Sequence, residues 1–248
     1  MIKLHVGTSG WSYKHWVGRF YPRGTKQRDF LEYYAQHFDC VELNATFYRL
    51  PAEKMVAGWA ERTPNGFAFC PKLSRLITHQ KRLAGAGDLL QRFLDRLSPL
   101  EGKLGPILIQ LPPSLAFEQG PVEEFGQLMG EIAPEWQFAL EARHASWTEE
   151  QALDTLAAQG IAWVIADSGN RFPYHEAVTA NFVYLRFHGP EELYASVYAD
   201  EQLSVYADKA AQWLGQGYDV WAMFNNDTEA YAVHNARRLR ELVQERIT

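Results

Sequence analysis

Apolar residues in this chain fall into short runs, separated by longer stretches in which they recur every three or four positions. Residues 3–8 (KLHVGT) alternate and include β-branched side chains, which predicts a strand, and Ser9-Gly10-Trp11-Ser12-Tyr13 ends it in an aromatic-rich loop. Residues 38–41 predict a second strand and residues 67–72 a third, after which 73–86, with Ser74, Arg75, Thr78 and His79, read as a long loop. Residues 105–114 (GPILIQLPPS) carry the unbroken apolar run of a strand covered on both faces, and Pro112-Pro113 stops it because neither residue can donate to a ladder. Residues 137–142, 161–166, 182–187 and 219–224 complete the strands.

Helices are predicted between them. Residues 29–38 place Phe30, Tyr33, Tyr34 and Phe38 at helical spacing, 51–62 are helix-like, 88–97 are amphipathic, and 122–132 follow. Thr148 before Glu149, Glu150 and Gln151 reads as the N-cap of a helix ending at Gly160. Asp200 reads as the cap of a helix over 201–214, and 228–246 as a closing helix. Only about fourteen residues separate the sixth and seventh strands, so the helix there must be short or replaced by irregular chain. About eight strands alternating with about seven helices, without a linker, predict an α/β fold: a TIM-type (β/α)8 barrel formed as a single domain over 1–248. An open doubly wound sheet with a terminal insertion is the alternative.

Several strands end in polar or charged residues, and alternation along each strand assigns those residues a face. If Glu42 points into the barrel mouth, Asn44 and Cys40 share its face while Val41 and Leu43 meet the helices. The same parity turns Lys72, Gln110, Glu141, Arg143, Arg186 and His188 inward and sends Phe67, Phe69, Ile109, Leu111, Phe138, Leu140, Leu185 and Phe187 outward. In this fold, inward residues at the carboxyl ends of strands converge on one site.

Composition narrows the partners. The 47% hydrophobic, 14% aromatic and 22% charged residues are globular proportions, and a net charge of -6 argues against binding nucleic acid or anionic membranes over the whole surface. No apolar run reaches transmembrane length and the first residues show no signal-peptide core, so a cytoplasmic protein without membrane partners is expected. Cys40 and Cys70 have neither disulfide-framework nor metal spacing and read as buried thiols. GxGxxG, P-loop and clustered-cysteine motifs are absent, so no dinucleotide, nucleoside triphosphate or iron–sulfur cofactor is indicated.

GTSGWSY (7–13), VELNATFYRLP (41–51), the 72–79 stretch ending ITH, LIQLPPS (108–114), LEARHASW (140–147), VYLRFHG (183–189) and FNND (224–227) together resemble the family of unknown function called DUF72, or YecE-like proteins. The resemblance covers nearly the whole chain and implies a TIM-type barrel, but it implies no reaction. Where such proteins often read E-F-R-H-P-S-W, this chain has Glu141-Ala142-Arg143-His144-Ala145-Ser146-Trp147, which leaves the charged positions intact.

The chemistry expected at the mouth is acid/base work by Glu42, Lys72, Glu141, Asp167 and His188 on a small phosphorylated or carboxylated substrate, of isomerase, lyase or hydrolase type. Trp11, Asn44, Tyr48, Gln110, Arg143, Trp147, Arg186, Gly189, Asn225 and Asn226 are the expected binding residues. Arg186 and His188 would form an anion-holding edge with the Gly189 amide, unless Arg186 is instead the structural partner of Glu42 or Glu141. No metal ligand is assigned, and any metal is expected to be divalent, oxygen-ligated and weakly held. Two other readings stand beside this one. A metal-dependent phosphodiesterase would draw on Glu42, Glu141, Asp167 and His188, and a non-catalytic nucleic-acid module would stack bases on Trp11, Tyr13 and Trp147.

Overall fold

Main-chain hydrogen bonds join eight strands into one parallel sheet in this computed structural model, which describes residues 2–247. Met1 and Thr248, the ends of the expected domain, lie outside the described residues. The strands are β1 (Leu4–Ser9), β2 (Cys40–Leu43), β3 (Ala68–Pro71), β4 (Ile107–Gln110), β5 (Phe138–Glu141), β6 (Ala162–Asp167), β7 (Phe182–Phe187) and β8 (Asp219–Phe224). Their order, β3-β2-β1-β8-β7-β6-β5-β4, leaves β3 and β4 as the two ends. Those ends also touch: Phe69 N–H donates to Lys103 O at 2.7 Å, Gly105 N–H to Phe69 O at 2.8 Å and Leu73 N–H to Leu108 O at 2.8 Å. The sheet is thereby a nearly closed TIM-type barrel rather than an open doubly wound sheet.

Alternation divides the core as the sequence pattern requires. Cys40, Cys70, Leu108, Ala139, Val164, Tyr184 and Met223 fill the barrel, while Val41, Phe69, Ile109, Leu140, Leu185 and Phe187 pack outward against the helices. Both cysteines are free and buried. His5 is interior too, stacked on Trp221 with ring centroids 3.8 Å apart. The helices are α1 (Phe30–Ala35), α2 (Ala45–Tyr48), α3 (Glu53–Glu61), α4 (Gly87–Leu97), α5 (Gln119–Ile132), α6 (Glu150–Ala158), α7 (Asp200–Gly215) and α8 (Tyr231–Ile247). Between β6 and β7 the described chain is irregular, as the short gap anticipates. No helix of the described residues is long and apolar enough to cross a membrane.

Three local expectations are corrected. Thr148 is not the cap of α6: it closes a 3-10 turn, Ala145–Thr148, with its hydroxyl donating to Ala145 O at 2.9 Å, and Glu149 precedes the helix. Asp200 is the first residue of α7 rather than its cap, and it accepts from Arg238 Nε of α8 at 2.9 Å. The stretch 73–86 is not all loop, since Leu76–Gln80 forms a π-helical turn. The first strand also runs one residue further than expected, which sets Ser9 in register with Glu42.

At the lower end, β1 and β2 approach closely because residue 7 has no side chain. A Cβ there would stand 2.3 Å from Cys40 O, which accepts from the Tyr34 hydroxyl at 3.0 Å. Gly7→Ala is therefore expected to push β1 from β2 and cost about 1–3 kcal/mol, lowering the thermal midpoint by several degrees. Gly58→Ala in α3, where an added Cβ meets nothing within 4 Å, should leave the melt unchanged or raise it. Equal melts for the two variants would refute the close-approach argument.

Candidate functional site

Strands β2, β5 and β7 each end by placing a charged side chain in the barrel mouth, and Glu42, Glu141 and Arg186 are all at most 1% exposed. Arg186 Nε donates to Glu42 Oε2 at 2.9 Å and its Nη2 to Glu42 Oε1 at 2.6 Å, a two-pronged grip matched to the planar guanidinium. Its Nη1 donates to Glu141 Oε2. Burial alone would raise the Glu141 carboxyl, but Arg186, then His188 and Arg143, outweigh it and hold that carboxyl well below the usual range. Ser9 donates to Glu42 Oε1 at 2.6 Å and accepts from Asn44 Nδ2 at 2.9 Å, which completes the Glu42 side.

His188 lies behind Glu141 and is completely buried. Its Nδ1 faces the Asn225 amide nitrogen at 3.1 Å, and its Nε2 lies 3.4 Å from both Glu141 Oε2 and Arg186 Nη1. Burial lowers its pKa, Glu141 opposes this, and Arg186 reinforces it, so the ring is neutral near pH 7.

On the other side of Glu141 the network reaches a second group of cations. Arg143 Nε donates to Glu141 Oε1 at 3.2 Å and its Nη2 to Gln110 Oε1 at 3.1 Å, while Lys72 Nζ donates to that same oxygen at 2.7 Å. Lys72 is 8% exposed, stands 4.3 Å from the Phe47 ring centroid, and pairs with no carboxylate among the described residues. Burial, followed by the charge of Arg186, holds its pKa down to about 7 against the opposing pull of Glu42 and Glu141. Two carboxylates against two guanidiniums balance, so the proton on Lys72 sets the net charge of the mouth.

One connected network thus brings together Asn44, Glu42, Arg186, Glu141, Arg143, Gln110 and Lys72, with His188 and Asn225 attached. Other expected site residues are placed elsewhere. Asp167 has the parity opposite to Ala162, Val164 and Ala166, so it leaves the barrel and accepts from the Tyr206 hydroxyl of α7 at 2.6 Å. Trp147 is buried packing whose indole donates to Leu115 O at 2.9 Å, and Trp11 stands edge-on against Trp59. Tyr48 is 71% exposed on α2. Asn226 is buried and donates to Ser196 O and Asn235 Oδ1, both at 2.9 Å, so it holds a loop.

The anion-holding edge on β7 is likewise corrected. Gly189 N–H already donates to the Tyr198 hydroxyl at 3.1 Å, and the Arg186 guanidinium is engaged by two carboxylates, so neither faces an incoming anion. The oxygen shell that a metallo-phosphodiesterase would need is not assembled either, because Arg186 occupies Glu42 and Glu141 while Asp167 points away. No group of three His, Cys, Asp or Glu residues among the described ones could hold a metal ion. Ser9 and Phe47 join the site without having been expected there. Continuing the inward parity of His5 along β1 reaches Ser9, but nothing in the pattern marks Phe47.

Removing the guanidinium should leave buried carboxylates unpaired, so Arg186→Ala is expected to lose about 3–5 kcal/mol at neutral pH by urea unfolding. In the wild type the depressed Glu141 pKa contributes stability that is present above the unfolded value of 4.5 and lost as pH falls through the folded pKa. In the variant, burial of the Glu141 carboxyl is no longer opposed by Arg186 and pushes it upward. Protonation then relieves the unpaired charge, so the deficit should shrink as pH is lowered from about 7 through about 4.5 and further below it, where the wild type loses its own contribution. A deficit independent of pH would count against the ion triad.

The comparisons with known proteins agree with this architecture. Residues 5–248 match the family described as "Protein of unknown function DUF72". The UPF0759 protein YecE of Escherichia coli strain K12 is 31% identical over 234 residues, spanning 85% of this chain and 82% of that protein. The UPF0759 protein YunF of Bacillus subtilis strain 168 is 26% identical over 273 residues, covering 97% of this chain and 94% of its own. A crystal structure of a DUF72 family protein from Thermotoga maritima superposes with a TM-score of 0.88 at 30% identity, covering 98% of this chain and 99% of that one. One from Enterococcus faecalis, at 23% identity, 98% and 96% coverage and a TM-score of 0.83, shares the fold. With barrel, spacing of motifs and whole-chain match in agreement, the chain belongs to the DUF72 family.

Proposed function

We propose that the barrel mouth binds a small molecule bearing a carboxylate or phosphate and that Lys72 exchanges a proton with it, in an isomerase, lyase or hydrolase type of reaction. The observation that carries this reading is the convergence of Lys72 Nζ and Arg143 Nη2 on one neutral acceptor, Gln110 Oε1. A single amide oxygen satisfies one donor of each cation, and an ammonium has three, so positive charge and donors remain for an anion. Arg143 is the member of this pair nearer to solvent, its side chain 14% exposed, and Phe172 lies under its guanidinium at 4.2 Å. That stacking fixes the plane in which the guanidinium can take a carboxylate or phosphate. A lysine with a pKa of about 7 is matched to general acid/base work at neutral pH.

The groups facing Lys72 are Arg186 from β7, Glu42 from β2, Glu141 and Arg143 from the end of β5, and His79 from the π-helical turn. His79 is held below its ordinary pKa by burial and then by Lys72, so it loses charge first as pH rises. Bound anion favours the charged lysine, and anion binding should therefore strengthen as pH falls through about 7. Sulfate, whose own charge is constant here, is expected to raise the wild-type melting temperature more at about pH 6 than at about pH 8.5. Arg143→Gln should lose most of this increment. An undiminished sulfate effect in Arg143→Gln would place the anion elsewhere.

Stability gives a separate check. The folded pKa of Lys72, about 7, lies below its ordinary 10.5, so the unfolded chain binds more protons between those values and wild-type stability rises with pH across that window. Lys72→Met is accordingly expected to melt several degrees above wild type at about pH 6, with the advantage narrowing toward about pH 10. A Met variant less stable at every pH would show that Lys72 supports the barrel rather than the site.

A further inference from the structure

We infer that Lys72 is a nucleophile that forms an imine with the carbonyl carbon of a 2-oxo acid whose carboxylate is held by Arg143. This rests on the anion-binding reading above and goes beyond proton exchange to a covalent step. Three features of the site carry it. Nζ is buried at the carboxyl end of a barrel strand, and its polar partner is an amide oxygen rather than a carboxylate. A carboxylate partner would fix the ammonium form, whereas an amide oxygen lets the neutral amine persist. The Phe47 ring walls one side of Nζ at 4.3 Å, and such a wall disfavours both charge and competing water.

The third feature is spacing. Lys72 Nζ and Arg143 Nη2 meet the same oxygen at 2.7 Å and 3.1 Å, so the two nitrogens are at most about 6 Å apart. That gap is short enough to be bridged by a carboxylate and the carbonyl carbon bonded to it. A simple carboxylic acid or a phosphate monoester would reach Arg143 but offer no ketone carbon to Nζ. The class selected is therefore a carboxylate with an adjacent carbonyl.

The step balances without an external oxidant or reductant. The lone pair of neutral Lys72 forms the C–N bond as the carbonyl π pair moves to oxygen, and a proton passes from nitrogen to that oxygen to give the carbinolamine. The nitrogen lone pair then forms C=N as the C–O bond breaks, and the hydroxyl leaves as water with one added proton. Starting from the ammonium form, ketone and lysine yield iminium and one water, so the proton released before attack is the one that leaves with the hydroxyl. A pKa near the working pH keeps both the attacking amine and that proton available.

The test uses the full chain with pyruvate and sodium cyanoborohydride at about pH 7, read by intact mass and peptide mapping. The expected result is one reduced pyruvate adduct per chain, mapped to Lys72 and absent in Lys72→Met, forming at least tenfold faster than in Arg143→Gln. Acetone, which has the carbonyl but no carboxylate, should label Lys72 at least tenfold more slowly than pyruvate. Lys103, whose Nζ is held by Ala60 O at 2.7 Å and Thr63 O at 2.6 Å, serves as the internal reference lysine. Adducts distributed over Lys103 and surface lysines without preference for Lys72 would overturn the inference. Absence of a Lys72 adduct, with the Arg143-dependent sulfate stabilisation intact, would overturn the imine while leaving the anion site standing. Labelling of Lys72 by acetone and pyruvate at equal rates would overturn the assignment of the carboxylate to Arg143.

Discussion

Arg186 between Glu42 and Glu141 is the interaction on which the mouth depends. Three charges removed from water are costly, and such a triad contributes little net stability compared with apolar residues of the same volume. Its effect is geometric. A guanidinium from β7 fastened to carboxylates from β2 and β5 ties together three separated strand ends across the barrel, where main-chain hydrogen bonds cannot reach. Glu141, fixed on one oxygen by Arg186, offers the other to Arg143, and Arg143 then shares Gln110 with Lys72. The position and charge of Lys72 are thus the far end of a chain of contacts that starts at Arg186.

This order explains why the residue with the most conspicuous charge is a poor candidate for meeting a ligand. Arg186 has its strong donors satisfied and is buried, and its pKa is pushed up by Glu141 and Glu42 against the effect of burial. Lys72 has one neutral acceptor, a flanking aromatic ring and a depressed pKa. A site that neutralised Lys72 with a carboxylate would be more stable and chemically silent. Here the carboxylates are drawn to the arginines, and the lysine retains a proton that it can give up near neutrality.

Strand parity makes the inner face of the barrel legible in the amino-acid sequence, because alternation is strict and the outward positions are filled by Phe, Leu and Ile. It turns Glu42, Lys72, Gln110, Glu141 and Arg186 toward the mouth, where their hydrogen bonds join them. Asp167 fails the same rule: three alternating inward residues, Ala162, Val164 and Ala166, send it outward, and that information is present in the chain. Ser9 is missed when the first strand is ended one residue early. Gly189, Asn226 and Trp147 depart from expectation for a different reason. Their partners, Tyr198, Ser196, Asn235 and Leu115, are set by how loops pack, which no local period encodes.

The irregular chain that stands in place of a helix between β6 and β7 is part of the same logic. Where other strands are covered by a helix, β6 turns Trp163 outward and the irregular chain after it lies against that ring, with the indole donating to His175 O at 2.9 Å. Thr179 anchors the far end of this segment by donating to Ile161 O and accepting from Trp163 N–H, each at 2.7 Å. Near its start, Phe172 is set under Arg143 at 4.2 Å. A regular helix would follow its own axis along the outside of the barrel, whereas irregular chain held at both ends can cover β6 and still send one ring over the mouth. The Arg143 guanidinium is thereby oriented on one side by Phe172, which the irregular segment supplies, and on the other by Glu141 at the end of β5.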